Sequence, residues 1–217
     1  MLPETMPVCP VRGSVIYPTM VMPIDAGRPI SIRAIDEALA RDRVLLIVSQ
    51  RDKEVETPRP SDLFEVGTAC NILKMRKNPD GSVQVLVQAF ARVRVREWLD
   101  LGDHLEARGE VLADEPGEPI LVKALVREVK DKFQALLKEG KYLAPEVAQF
   151  ILNLEDPSQL ADYVAFHMDF RLEDKQKVLE TANVAERLRA VMVLLEAELA
   201  LIETQLRSQQ QVKEEID

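Results

Sequence analysis

The chain has 217 residues, 47% of them hydrophobic and 30% charged, with a formal net charge of −9 at pH 7. That length fits one large domain or two small ones, and the composition supports both a packed core and a polar surface. The acidic balance argues against a dedicated nucleic-acid binder, two cysteines (Cys9 and Cys70) make neither a disulfide framework nor a zinc site, and no apolar run nears a membrane span. No basic region followed by an apolar run opens the sequence, so no secretory signal is expected and the expected location is cytoplasmic.

Residues 7–24 read PVCPVRGSVIYPTMVMPI. Val8 and Val11, then Val15 and Ile16, are strand formers, and each short run is stopped by Pro or Gly. Pro18 and Pro23 bracket Thr19, Met20, Val21 and Met22. Proline lowers the entropy lost on binding and methionine adapts its shape, so this stretch is a candidate sticky loop. Alternation sends Met20 and Met22 to one side and Val21 to the other. The binding reading requires Met20 and Met22 to be solvent-exposed; the plain alternative is that they fill a β core.

Pro29, suited to a first helical turn, starts a helix over 29–41 on which Ile32, Ile35 and Leu39 share a face. Residues 44–50 have the composition of a buried strand. Strands at 67–75 and 82–88 flank Asn78-Pro79-Asp80-Gly81, a hairpin signal. Residues 92–98 alternate Arg92, Arg94 and Arg96 with Val93 and Val95, the period of a half-buried strand, and 105–111 is a further strand. The Arg row, with Lys74, Arg76 and Lys77, reads as a solvated basic face; without interleaved aromatics it does not read as a base-stacking surface.

Residues 113–119, acidic and carrying two prolines and a glycine, mark a boundary. Helices follow at 120–138, 145–152, from Asp156-Pro157-Ser158 to 167, and at 172–180. Tyr142, Phe150, Tyr163 and Phe166 are expected to pack among them, and Trp98 to lie in the core or at a subdomain contact. A last helix starts near Val184. Its Leu188, Val191, Leu195, Leu199, Ile202 and Leu206 step at near-heptad spacing, and it runs on without a Gly or Pro stop, as if continuing into something longer.

Catalytic chemistry is not legible. No G-x-x-x-x-G-K-[ST] phosphate loop occurs, Cys9, Cys70, His104 and His167 are scattered rather than spaced as metal ligands, and neither histidine accompanies a nucleophile elbow.

Pro7, Pro10, Arg12, Val15, Tyr17, Pro18 and Pro23 fill a pattern that opens the amino-terminal domain of Lon ATP-dependent proteases. Further blocks follow in order: Gly27-Arg28 with Ser31, Ala34 and Ala38; residues 62–69; Pro79-Asp80-Gly81 leading to residues 89–94; and, in the helical half, Pro157, residues 160–162, Leu179-Glu180, Arg187-Leu188 and Glu196-x-Glu198-Leu199. The chain therefore resembles that domain over nearly its whole length. Ala89 stands where the family usually has Gly.

The resemblance implies an α+β fold: a β-rich, PUA-like pseudo-barrel lobe with one helix over 1–113, a helical bundle lobe over 114–183, and the start of a long coiled-coil-like helix over 184–217. It implies a non-catalytic domain that recognises unfolded or damaged proteins and helps organise a homo-oligomeric ring, a hexamer in the full-length family. The parent would be an ATP-dependent serine endopeptidase whose Ser-Lys dyad, ATP and Mg lie outside this chain; no cofactor or metal is expected here. The expected client-binding residues are Tyr17, Pro18, Thr19, Met20, Val21, Met22, Pro23, Phe64 and Met75. Leu188, Val191, Leu195, Leu199, Ile202 and Leu206 are expected to serve helix packing or oligomerisation. Alternative readings are a purely structural oligomerisation or gating module and, further off, a stand-alone RNA or small-ligand binder.

Overall fold

The computed structural model describes residues 1–140 and 143–216. It divides into two compact units. The first joins Met1–Ala113 with Arg171–Glu180, and the second joins Asp114–Phe170 with Thr181–Asp217. Tyr142, expected in the helical packing, lies outside the described residues.

In the first unit the strands are β1 (Met6–Val11), β2 (Val21–Ala26), β3 (Val44–Ser49), β4 (Val66–Lys77), β5 (Val83–Asp100) and β6 (Leu105–Val111), with helix α1 (Pro29–Ala40) between β2 and β3. The sheet order is β2-β5-β4-β3-β1-β6, and β6 also pairs with β5. That second pairing closes β1, β3, β4, β5 and β6 into a pseudo-barrel and leaves β2 as an added strand on β5. All pairings are antiparallel except β1 with β3.

β3 is buried at every position because both faces of the sheet are covered there, as its unbroken apolar run requires. On one face Leu45 and Ile47 join Cys9, Ile72, Val85 and the α1 residues Ala34, Ile35 and Ala38. On the other, Leu46 and Val48 join Val8, Leu63, Val93 and Leu105. Glycine is needed where neighbouring atoms press on the backbone. A Cβ on Gly67 would lie 2.6 Å from the Ile47 carbonyl oxygen, and one on Gly109 would lie 2.5 Å from Val93.

The two strands expected at 82–88 and 92–98 are a single 18-residue strand. A β-bulge carries the chain through: Cys70 pairs with Ala89 and Ala69 with Ala91, so Phe90 is the extra residue. One extra residue flips the phase of everything beyond it. Val85 and Val87 therefore face the first cluster while Val93 and Val95 face the second, a switch that a two-residue period cannot forecast. Ala89, where the family usually has Gly, is buried at the bulge.

Helix α5 (Leu172–Glu180) belongs to the first unit although its sequence neighbours do not. Three long-range bonds hold it. The Tyr17 hydroxyl donates to the Lys175 carbonyl at 2.8 Å, Gln176 Nε2 donates to the Val66 carbonyl at 2.9 Å, and Arg92 Nε donates to the Leu179 carbonyl at 2.9 Å.

The second unit contains α2 (Pro119–Lys138), α3 (Pro145–Leu152), α4 (Pro157–His167) and α6 (Val184–Ile216). Glu118 caps α2 by accepting from the Ile120 and Leu121 amides, Asp156 caps α4 through the Gln159 amide, and a proline opens each of α2, α3 and α4. Leu125, Val129, Phe133 and Leu136 of α2 and Leu188, Val191 and Leu195 of α6 are buried. Phe150 meets Tyr163 edge-on at 5.2 Å, although Phe150 remains 49% exposed.

Arg187 is fully buried. It donates to Asp114 Oδ1 at 2.7 Å, to the Thr181 carbonyl at 2.8 Å and to the Ser158 hydroxyl, with Asp162 at 3.9 Å. A buried guanidinium is tolerable only with its donors matched this way.

Candidate functional site

β2 is the strand form of the proline-rich segment, and its alternation decides which side chains solvent can reach. Met20, Ile24 and Ala26 are buried, Met22 is half-buried against the α1-side cluster, and Val21 and Pro23 are exposed. Met20, at 4% exposure, therefore corrects the expectation that both methionines face solvent: the pleat turns them into the core and Val21 out of it. Tyr17 is also fully buried, its hydroxyl spent on α5. Thr19 holds a positive φ of 72°, a strained setting for a β-branched residue, and its amide donates to the Ala89 carbonyl at 2.9 Å.

Phe64 and Met75 do not extend one surface. Phe64 packs on the second cluster, under the Arg51 guanidinium at 4.7 Å, whereas Met75 packs on the first. The structure instead offers a face on β2, β5 and β4. Cross-strand rows place Val21 beside Gln88 and Asn71, and Pro23 beside Leu86 and Lys74. Two bulges add to it. Leu73 is the extra residue where Ile72 pairs with Val87 and Lys74 with Leu86, and Phe90 is the extra residue of the second bulge. Val21 is 53%, Leu73 43% and Phe90 37% exposed. Sequence reasoning missed Leu73, Leu86 and Phe90, since a bulge residue carries no signature beyond an interrupted alternation.

The basic row is broken up. Arg92 is buried beneath α5, and Arg96 pairs with Glu110 of the neighbouring strand β6. Lys74, Arg76 and Lys77 are exposed and flank the apolar face.

A polar network ties α1 to β6. His104 Nδ1 lies 2.7 Å from Asp103, and its Nε2 lies 2.8 Å from Glu106. Arg41 forks onto both Glu106 oxygens at 2.7 Å and reaches Glu37 at 3.0 Å. Arg41, and then His104, hold the Glu106 carboxyl below its ordinary 4.5 against the opposing effect of burial. Glu37, His104 and Glu106 bring donor atoms within 4.8 Å of one another. A cation there would meet the Arg41 guanidinium, so the chemistry of the group is that of an ion-pair clamp. Burial pushes the Cys9 thiol up to about 11 and raises Cys70 as well, so neither is a ready nucleophile. No described helix is long and apolar enough to cross a membrane.

On α6, Leu188, Val191 and Leu195 are buried within their own unit, Leu199 and Ile202 are half-buried, and Leu206 is exposed. The first three are thus unavailable to a second chain.

The sequence profile of the ATP-dependent protease La (LON) substrate-binding domain matches residues 5–197. The chain belongs to the Lon substrate-binding domain family. A Lon protease 2 of Thermus thermophilus is 99% identical over 217 residues, covering 100% of this chain and 27% of that protein. A Lon protease of Escherichia coli K12 is 38% identical over 97% of this chain and 27% of its own length. Among solved structures, the N-terminal domain of a Mycobacterium avium complex Lon protease matches with a TM-score of 0.73 and 26% identity, over 89% of this chain and 98% of that one. A Lon N-terminal domain protein from Xanthomonas campestris matches at 0.58 and 12% identity, which speaks to the fold alone. The chain spans 27% of the length of these curated Lon relatives.

Proposed function

We propose that this Lon substrate-binding domain captures unfolded or damaged proteins by burying their exposed apolar segments on the β2–β5–β4 face, for degradation by an ATP-dependent serine protease of which it is a non-catalytic part. The observation that carries this reading is the exposure of Val21, Leu73 and Phe90 around half-buried Leu86. Soluble proteins place large apolar side chains together on a surface chiefly where something binds.

At roughly 25 cal/mol per Å², a few hundred Å² of burial supplies several kcal/mol before association costs, so one copy binds weakly. Several copies on a ring raise effective affinity by roughly 10²–10⁴. Weak single-site capture suits a step that must hand its client onward. Lys74, Arg76 and Lys77 beside the face favour clients that also carry acidic residues.

The test compares native α-lactalbumin with its reduced, carboxymethylated form, which stays unfolded. The expected result is binding of the unfolded form alone, weakened several-fold by Leu73→Ser with Phe90→Ser while thermal stability is kept. Equal binding of both forms, or a double variant that binds like the parent, sinks the reading.

A second reading, self-association, is favoured by Leu201, Leu206, Val212 and Ile216, all exposed on α6. Sedimentation over a concentration series checks it; loss of oligomers on removing residues 204–217 supports it.

A further inference from the structure

β2 lies at the end of the sheet order, bonded to β5 on one side only. The Ala89 amide donates to the Met20 carbonyl at 2.8 Å. In a strand, successive residues aim their backbone polar groups to alternate sides. Met22, Ile24 and Ala26 therefore share the direction of Met20, toward β5. Val21, Pro23 and Asp25 aim theirs at the open edge. Pro23 fits this phase, because proline in a sheet belongs where no ladder donor is needed. The open edge thus presents the amides of Val21 and Asp25 and the carbonyls of Val21, Pro23 and Asp25.

A cleft of about 510 Å³ is lined by Met22, Pro23 and Asp25 of β2, by Pro10 and Val11 of β1, and by Arg12. The charged side chains lining it are matched. Arg12 forks onto Glu56, Arg28 donates to the Gln50 side chain and to the Pro10 and Glu56 carbonyls, and Asp25 Oδ1 accepts from Gln84. A small ion would have to break these pairs. An uncharged extended backbone would not, and it carries the complementary row of donors and acceptors.

We propose that the open edge of β2 takes an extended, uncharged segment of an unfolded polypeptide as an added strand, seated in this cleft. The proposal rests on the reading that the domain binds unfolded protein, and it names the mode: main-chain bonds at the edge supply affinity that does not depend on sequence, and the apolar face supplies preference. An added strand of about six residues spans roughly 20 Å and covers far less than the ~1,200 Å² of a stable association. That area suits a transient client rather than a second copy of this chain. Pro23 removes one donor from the middle of the edge, which limits the indiscriminate pairing that a fully armed edge invites.

The test uses ¹⁵N-labelled protein with the neutral peptide acetyl-(Thr-Val)₃-amide and the same peptide methylated on every backbone nitrogen, which keeps the side chains but removes the donors. The expected result is slowed amide exchange at Val21 and Asp25 with the plain peptide, and roughly a tenfold or greater loss of affinity for the methylated one, which cannot donate to the Val21, Pro23 and Asp25 carbonyls. Equal affinity for the two peptides overturns the proposal. So do shifts at Leu86 and Phe90 with no protection of Val21 and Asp25, an outcome that leaves capture on the apolar face standing. Edge protection that grows with protein concentration in the absence of peptide also overturns it, in favour of a second copy. Failure to prefer unfolded α-lactalbumin, with the edge still protected by the peptide, defeats the functional reading instead.

Discussion

Glu106 carries the clearest pH dependence. Its carboxylate accepts from Arg41 and meets His104 while only 3% exposed, and its pKa lies below the ordinary 4.5. A depressed carboxylate stabilises the fold above its unfolded pKa and loses that contribution as pH falls through the folded one. The parent should thus lose stability as pH drops below 4.5, and Glu106→Gln should lose less over the same range, read by thermal unfolding against pH. Parallel curves for the two proteins would contradict this. Arg187 is the second such residue. Arg187→Met leaves Asp114, Asp162 and the Thr181 and Ala182 carbonyls around an uncharged side chain, and should cost about 3–5 kcal/mol in denaturant unfolding. The sequence marked Arg187 only through the family pattern; nothing in its spacing announced a buried cation. Met20 shows the opposite limit: alternation correctly placed Met20 and Met22 together, yet could not say which side was the core.

At the scale of elements, the proline and glycine signals were sufficient for what they control. Asn78-Pro79-Asp80-Gly81 turns β4 into β5, with Gly81 at a φ of 89°, and Pro29, Pro145 and Pro157 start helices where expected. Bulges and docked segments were illegible. The shift at Phe90 depends on β4 opposite it, and α5 joins the sheet through bonds donated by Tyr17 and Arg92 and one accepted by the Val66 carbonyl, which no local pattern encodes. On α6 the periodic stripe extends past the part that is buried. Leu195→Ala, inside the packing, should cost about 2–5 kcal/mol. Ending the chain after Leu206 removes residues that, where described, are all exposed, and should leave the unfolding midpoint nearly unchanged. A large loss of stability on that truncation would mean that the exposed half of α6 is structurally engaged.

At the scale of the whole molecule, the proposed capture face lies wholly within the first unit. In the first unit a closed pseudo-barrel has one strand appended, and the appended strand carries Val21 and the open edge, while Leu73 and Phe90 come from β4 and β5. The α+β class was legible because the hydrophobic period changes from two to near 3.6 across residues 113–119; the pseudo-barrel was implied only by the family resemblance, since its closure rests on the pairing of β6 with β5. The proposed binding face was only half legible. Its β2 part is written in the proline-rich segment, while Leu73, Leu86 and Phe90 join it through strand pairing.

The most direct measurement is a ¹⁵N chemical-shift map of the chain titrated with reduced, carboxymethylated α-lactalbumin. The account predicts shifts clustered at Val21, Leu73, Leu86 and Phe90, absent with the native protein. Shifts confined to Leu201, Leu206 and Val212 on α6, with the β2–β5–β4 face silent, would contradict it.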